Sequence, residues 1–448
     1  MEHLDALSPL DGRYHKSAAP LSQFFSERAY FHYRAIVEIK YLLAFLEGTN
    51  EVNLSVKDKK YLEEIVNISD RDFAAIKKLE RTTHHDIKAL EYFIKGKINN
   101  NALLPFIHFG LTSEDINNIA YGLMLSDALE KILVPALDKI ERDLMHFSDR
   151  YQSSPILART HGQPASPTTF GKEMRVFQNR LQKKISKIKT HQLGAKLNGA
   201  TGNYNALVSA YPQVDWVTFS ARFINSFNEN RLIKLQPNLL TTQVEPHDAL
   251  VELFDMLRGA NNILVDLCRD MWRYISDGWL QQEMISGEVG SSTMPYKINP
   301  IQFENAEGNL GFANAILNFF SQKLSISRLQ RDLSDSTVKR NMGVSFGHCL
   351  LAYTSISNGL TRISLNEEKC IQEINRNPQI ITEAIQMILK REGNSDAYES
   401  LLELSRGEQL THSDIESFIN QLEISEEIRA ELRSITPETY IGLAHKLK

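Results

Sequence analysis

Hydrophobic residues along this sequence recur mostly every three or four positions, the period of one face of an α-helix. The clearest run predicts one very long helix that begins at Thr112, where Asp115 completes a variant of the helix capping box. Pro135 is expected to kink this helix. The run consists of Ile116, Ile119, Leu123, Leu129, Ile132, Leu133, Leu137, Ile140, Leu144 and Phe147.

The same period predicts four further long helices. We expect them from about Phe170 to Leu193, from His247 to Ile275, from Pro300 to Leu324 and from Asp335 to Leu360. Long helices in one continuous stretch favour a helical bundle over an α/β domain. Several are apolar on more than one face, which is typical of helices buried against other subunits.

The regions on either side of this bundle predict shorter helices, so the expected fold class is all-α. Strand signals are few, and short strands are expected only at 152–158 and in parts of 197–245. The predicted division is an N-terminal helical domain of residues 1–111, a central long-helix bundle domain of residues 112–363 and a C-terminal helical domain of residues 364–448.

Composition narrows the class of protein. The 448 residues are 42% hydrophobic and carry a net charge of −5, with both signs interspersed, which disfavours nucleic acid or a membrane surface as partner. No targeting segment or run of roughly 18–20 apolar residues is evident. Three widely spaced cysteines predict neither disulfides nor a zinc site and suit a reducing cytoplasm.

The strongest motif is GSSTMPYKINP, residues 290–300. Glycine and serine interrupt helical sequence between Gly287 and Asn299, which predicts a mobile loop. A bare Gly-Ser pair is usually a turn that caps a helix. The whole string, however, resembles the signature loop of the fumarase/aspartase superfamily of lyases.

That resemblance implies a reaction in which a proton is removed beside a carboxylate and a group leaves the neighbouring carbon. It implies that Ser291 is the base, with Lys297 and Asn299 supplying a cation and an amide to the developing charge. A serine is a poor base unless its alkoxide is stabilised. The residues alone leave Ser291 and Ser292 as alternatives.

A second motif is RTHGQPASP, residues 159–167. A lone histidine is more often structural than catalytic. THGQP, however, matches the adenylosuccinate lyase branch of the superfamily. The match implies that His161 is the general acid, that Thr160 contacts substrate and that the carboxylate of Glu304 orients His161. The alternative for Glu304 is a solvated helix face.

A third segment is ERTTHHDIKA, residues 80–89. Thr83 and Asp86 bracket a predicted helix start, so simple capping explains both without function. Two adjacent histidines at a helix N-terminus, where anions bind well, are left unexplained. The family resemblance implies that His85 acts at the substrate, with His84 and Asp86 as further contacts.

Further substrate contacts are implied by shorter resemblances, among them SPLDGRY near the N-terminus, which resembles the bacterial members of the branch. Capping is the alternative for the threonine and serine of LTSEDINN, and a salt-bridged helix end is the alternative for the segment after residue 330. These residues are Arg13, Tyr14, Thr112, Ser113, Gln243, Asn305, Arg331, Ser336, Thr337 and Arg340.

The resemblance extends over essentially the whole chain. It implies elimination of fumarate from adenylosuccinate and from succinylaminoimidazole-carboxamide ribotide, both nucleotides. It also implies a cytoplasmic homotetramer with shared active sites and no metal or organic cofactor. The alternatives are another lyase of the superfamily, such as argininosuccinate lyase, and a non-catalytic structural relative.

Overall fold

The structure is a computed structural model that describes residues 5–283, 293–294, 296–405 and 410–447. Helices account for 65% of the described residues, about twice the roughly 30–35% of an average globular protein, so the expected all-α fold is confirmed. None of the described helices is both long and apolar enough to cross a bilayer. The α-helices are α1 (His15–Ala18), α2 (Ser22–Phe25), α3 (Glu27–Thr49), α4 (Val56–Glu64), α5 (Asp70–Thr83), α6 (Asp86–Lys97), α7 (Ser113–Ala128), α8 (Val134–Arg150), α9 (Phe170–Lys189), α10 (Asn205–Ala210), α11 (Trp216–Asn225), α12 (Asp248–Ser276), α13 (Ile301–Lys323), α14 (Ser334–Lys339), α15 (Met342–Leu360), α16 (Glu367–Asn375), α17 (Thr382–Arg391), α18 (Ala397–Ser405), α19 (His412–Gln421) and α20 (Glu426–Ser434).

The long helix predicted after Thr112 is present and runs through α7 and α8. The backbone N–H of Thr112 donates to Asp115 Oδ2 at 2.9 Å, as the capping pattern requires. A π-helical segment, Leu129–Leu133, joins the two helices. It lies where Pro135 has no N–H to donate to Lys131 and where its ring crowds that carbonyl, so the local distortion appears as a π-turn.

Two of the predicted helices differ from the expectation. The helix expected to reach Leu193 ends at Lys189, and a strand follows. The helix expected over residues 335–360 is divided into α14 and α15. Asn341 lies just before α15, at a position where asparagine is favoured, and its side-chain amide donates to Thr337 O at 3.1 Å.

Strands are short and form two-stranded pairs. The strands are β1 (Pro155–Ile156), β2 (Arg159–Thr160), β3 (Gln163–Pro164), β4 (Thr168–Thr169), β5 (Gln192–Ala195), β6 (Lys234–Pro237), β7 (Leu280–Gln282) and β8 (Ile363–Leu365). Pairs β1–β4, β2–β3 and β7–β8 are antiparallel, whereas β5 and β6 are parallel, with Gln192 opposite Lys234. The two regions predicted to hold strands contain β1 and β6.

The chain forms two compact units, which are described separately below. The three-domain division expected from the sequence follows helix lengths and stays a prediction. Unit 1 comprises residues 1–138, 183–265 and 306–354, and unit 2 comprises residues 139–182, 266–305 and 355–448.

An aromatic cluster forms part of the core of unit 1. The fully buried ring of Phe45 lies 5.1 Å from Phe109, 5.5 Å from Tyr211 and 6.0 Å from Trp216, measured between centroids. Large rings in contact contribute much of the buried apolar area of a core. Phe109 is thereby held three residues before Thr112, so the packing fixes where α7 begins.

The backbone just before α7 is also fixed by the pairing of a half-buried histidine with a buried glutamate. His108 has a left-handed backbone with φ of 59°, and its Nδ1 lies 2.6 Å from Glu38 Oε1. Gly110 has φ of 70°, and a Cβ there would lie 2.4 Å from Leu207. These constraints set the direction in which the chain enters α7 and so position Thr112.

This pair predicts a pH dependence of stability. Burial alone would lower the pKa of His108, but the adjacent carboxylate of Glu38 raises it above the ordinary value. The contribution to stability is therefore complete below the unfolded-state pKa of about 6.5 and is lost as pH rises through the higher folded-state pKa. We expect Glu38→Gln to lower the Tm at pH 6 more than at pH 9, as measured by thermal unfolding.

Glu47→Gln is the matched control, since it removes the same charge from an exposed position on the same helix. Its effect on Tm should be small and similar at both pH values. An equal loss of Tm at both pH values for Glu38→Gln would show that the His108 pair carries no proton linkage.

Candidate active site

In unit 2, His161 lies at the tip of the hairpin formed by β2 and β3. Thr160 pairs with Gln163, so His161 and Gly162 are the two central residues of the turn, with φ of 53° and 76°. Two positive φ angles are typical of a type I′ turn. A left-handed histidine costs roughly 1–2 kcal/mol, and such strain clusters at functional sites. The imidazole and Thr160 are exposed.

Two carboxylates anchor the segment that carries His161. Arg159 Nη2 lies 2.7 Å from Glu373 Oε1 of α16. Ser166 donates to Glu383 of α17, which also accepts from Tyr440 at 2.9 Å. These hydrogen bonds from Ser166 and Tyr440 lower the pKa of Glu383. Sequence reasoning missed both carboxylates, since more than 200 residues separate them from the hairpin.

Glu304 lies in the first turn of α13 and is exposed. Its Oε1 accepts a hydrogen bond from Trp272 Nε1 at 3.0 Å. Within the described part of this chain no hydrogen bond joins Glu304 to His161, so the orienting role stays a prediction. The neighbouring Asn305 accepts from Ser355 Oγ at 3.0 Å and is half-buried.

The signature loop is described only in part. Ser291 and Ser292 lie outside the described residues, as do Gly287 and Gly290. The role of Ser291 as the base therefore stays a sequence prediction. In the described remainder of the motif, the backbone N–H of Lys297 donates to Met294 O at 3.1 Å, and the Lys297 side chain is exposed. Asn299 is half-buried.

In unit 1 the adjacent histidines form the corner between α5 and α6. His84 is the C-cap of α5, with φ of 51°, and its N–H donates to Glu80 O at 2.8 Å. His85 is the N-cap of α6, and its Nδ1 accepts from the Lys88 N–H at 3.2 Å. Because Nδ1 accepts this hydrogen bond, a neutral His85 carries its proton on Nε2, and its side chain is half exposed. The expectation that Thr83 caps α6 was wrong, because Thr83 is the last residue of α5 and His85 is the N-cap.

Asp86 is engaged by two arginines. Its Oδ2 accepts from Arg34 Nη2 at 2.8 Å and from Arg340 Nη2 at 2.9 Å. Burial would raise the pKa of Asp86, but the two guanidinium groups hold it at about 2. Arg34 is buried, lies 3.5 Å over the Tyr30 ring and donates to Asn117 Oδ1. Asp86 thus anchors Arg340, and sequence reasoning missed Arg34.

Two of the predicted substrate residues contact each other directly. Arg331 Nη1 donates to Gln243 Oε1 at 3.0 Å, and Gln243 Nε2 donates to Ala200 O at 3.1 Å. The other terminal nitrogen of Arg331 lies 3.5 Å from Glu114 Oε2. The structure therefore brings Gln243 and Arg331 together beside the first turn of α7.

The predicted hydroxyl contacts lie at two places in unit 1. Thr112 and Ser113 are half-buried at the start of α7. Ser336 is half-buried and Thr337 is exposed, but both lie inside α14, which begins at Ser334. They are the third and fourth residues of this helix and therefore lie in its first turn.

The N-terminal turn packs on α15. Leu10 is buried, and a Cβ on Gly347 would lie 2.8 Å from its side chain, so this glycine permits the close approach. The Tyr14 N–H donates to Pro9 O at 2.8 Å, which closes the turn. The Arg13 guanidinium is exposed and lies 5.9 Å from the Tyr14 ring centroid. The turn thus presents Arg13 to solvent, and Tyr14 is half-buried.

Solved structures of other proteins share this fold, and a family match gives the class of protein. A fumarate lyase from Mesorhizobium sp. BNC1 aligns with a TM-score of 0.76 over 96% of each chain, at 15% identity. The 3-carboxy-cis,cis-muconate lactonizing enzyme from Pseudomonas putida aligns with a TM-score of 0.74 over 96% of this chain and 95% of that one, at 20% identity. Residues 12–314 match the family described as Lyase. The chain is therefore a helical lyase.

Closer relatives specify the family. Residues 327–441 match the family described as Adenylosuccinate lyase C-terminal. The adenylosuccinate lyase of Haemophilus influenzae is 45% identical over 99% of this chain and 98% of its own length. That of Dictyostelium discoideum is 46% identical over 99% and 97%. The chain belongs to the adenylosuccinate lyase family.

Proposed function

We propose that this lyase cleaves adenylosuccinate to AMP and fumarate. It also cleaves succinylaminoimidazole-carboxamide ribotide to the aminoimidazole-carboxamide ribotide and fumarate, so both reactions belong to purine nucleotide biosynthesis. The observation that carries the proposal is 45% identity to an adenylosuccinate lyase over 99% of the chain.

In the proposed mechanism the alkoxide form of Ser291 takes, at Oγ, the proton from the carbon beside a succinyl carboxylate. The C–H electron pair forms the new C=C bond as the C–N bond breaks, and His161 protonates the departing nitrogen. Lys297 and Asn299 stabilise the charge that develops on the carboxylate. The exposure of His161 on a strained turn supports its role, since a proton donor must reach a bound substrate.

Arginines of unit 1 bind the anionic groups of the nucleotide in this proposal. Arg340 uses one terminal nitrogen on Asp86 and keeps 46% of its side chain exposed. A guanidinium carries five N–H donors, so donors remain for a phosphate. Arg331, Ser336, Thr337 and Arg13 complete the proposed phosphate and nucleotide contacts, while Gln243, Thr112 and Ser113 face the succinyl group.

We further propose that the chain is cytoplasmic and assembles as a homotetramer with sites drawn from several subunits. Large apolar side chains lie 41–54% exposed on α9, α12 and α13, and an unassembled protein seldom leaves many of them in water. The absence of a Glu304–His161 hydrogen bond within the described chain also supports contribution from different subunits. These exposed residues are Val176, Trp272, Phe312 and Phe319.

The direct test incubates the purified chain with adenylosuccinate and measures AMP and fumarate by chromatography. We expect the two products in equal amounts, with a kcat on the order of 1–10³ s⁻¹ typical of enzymes. Argininosuccinate is the matched control substrate, because it carries the same succinyl-amine without a phosphate. Fumarate from argininosuccinate but not from adenylosuccinate would overturn the proposed substrate.

A further inference from the structure

Unit 1 contains a buried cluster of four ionisable side chains. Lys339 Nζ lies 2.9 Å from Glu114 Oε1, 2.8 Å from Asp335 Oδ2 and 3.4 Å from His247 Nε2. The side chains of Lys339 and Glu114 are 2% and 1% exposed, and those of His247 and Asp335 are each 7% exposed. Buried ion pairs are often no more stable than apolar replacements, so their presence invites a functional explanation.

The cluster has the form of a cation site whose cation belongs to the chain. Ligand atoms of Glu114, His247 and Asp335 lie within 4.8 Å of one another, a set that would suit a divalent metal. The ammonium of Lys339 lies within 3.4 Å of an atom of each. Lys339 therefore takes the place that a metal ion would occupy.

The acids around Lys339 connect to the proposed substrate residues. Glu114 directly follows Ser113 in the chain, and its second oxygen lies 3.5 Å from Arg331 Nη2. Arg331 in turn donates to Gln243. Among the described residues, Lys339 and Arg331 are the cations within ion-pair distance of Glu114. Lys339 and Arg331 thus share one buried carboxylate.

We propose that Lys339 is a positioning residue, whose buried ammonium neutralises Glu114 and so keeps the Arg331 guanidinium available to the substrate. The proposal rests on the proposed function, which makes Arg331 a substrate contact. Without the ammonium, Glu114 would be a buried carboxylate with Arg331 as its remaining counter-ion. Arg331 would shorten the present 3.5 Å separation to a hydrogen bond with Glu114 and withdraw from substrate.

The test compares Lys339→Met with the double variant Lys339→Met/Glu114→Gln. Methionine keeps most of the side-chain volume without the charge. We expect the single variant to raise the KM for adenylosuccinate by at least ~10-fold, the effect of losing one charge-assisted hydrogen bond. The double variant should return KM to within ~3-fold of wild type, since no carboxylate then captures Arg331. Lys139→Met, at an exposed position of unit 2, is the control and should change neither KM nor kcat.

A merely structural role for Lys339 would lower stability and the active fraction but leave the KM of the folded enzyme unchanged. An unchanged KM in Lys339→Met, or a double variant no better than the single one, would overturn the proposal. If Lys339→Met fails to fold, the double variant decides alone, and a KM more than ~10-fold above wild type contradicts the proposal.

Binding of AMP, measured by calorimetry, provides the same comparison without turnover. We expect the Kd for AMP to rise in Lys339→Met and to recover in the double variant. A wild-type chain that binds AMP but releases no fumarate from adenylosuccinate would refute the proposed function. The AMP affinities of the variants would then still test the positioning role of Lys339. Equal AMP affinity in wild type and Lys339→Met would refute the positioning role.

Discussion

Replacing His161 with asparagine is expected to lower kcat by about 10²–10⁴-fold, the usual contribution of a general acid. The departing nitrogen would then have no positioned proton donor. Asparagine tolerates a left-handed backbone better than other non-glycine residues, so it suits the φ of 53° at this position. The variant therefore removes the imidazole while leaving the hairpin intact. KM should change little, since the interaction matters mainly in the transition state.

The control is His412→Asn, the same substitution at an exposed histidine of α19 in the same unit. It should keep wild-type kcat. Circular dichroism and thermal unfolding should show both variants folded. Retention of kcat within ~3-fold in His161→Asn would remove His161 from the proton-donor role.

The fold could be predicted because hydrophobic periodicity reports helix faces directly. The long helix after Thr112 follows from apolar residues spaced three and four apart, and its start follows from the Asp115 cap. The break at Asn341 could not be predicted from the same signal, since no proline interrupts the pattern there and asparagine is a weak helix breaker.

Sequence motifs name the candidate site residues, whereas no sequence pattern indicates the side-chain pairs that join distant segments. Arg34 and Asp86 are separated by 52 positions, and Lys339 and Glu114 by 225, so no local pattern connects them. One signal was present for Arg34, which is a single charge among the apolar residues Ala29, Tyr30, Phe31, Tyr33 and Ala35 of α3. A charged residue inside an apolar stretch indicates a buried partner.

Mixing two inactive variants, Ser291→Ala and His161→Ala, is expected to restore activity once their subunits exchange. This expectation follows from the proposed sharing of sites in a tetramer. In the described chain Glu304 accepts a hydrogen bond from Trp272 and not from His161. The helices are long, since α12 has 29 residues and so spans roughly 43 Å. Symmetric packing of such helices lets the end of one subunit's helix meet the middle of another's.

The size of the recovery distinguishes the two arrangements. If Ser291 and His161 of each site come from different chains, a 1:1 mixture leaves about a quarter of the sites with both residues intact. The serine must come from a His161→Ala chain and the histidine from a Ser291→Ala chain, and each chain is drawn with a chance of about one half. If one chain supplies both, every site lacks one of them and recovery is nil. Exchange is verified by native mass spectrometry of differently tagged chains, and Ser292→Ala is measured alongside to test the choice within the serine pair. Demonstrated exchange without recovery would place Ser291 and His161 of one site in the same subunit.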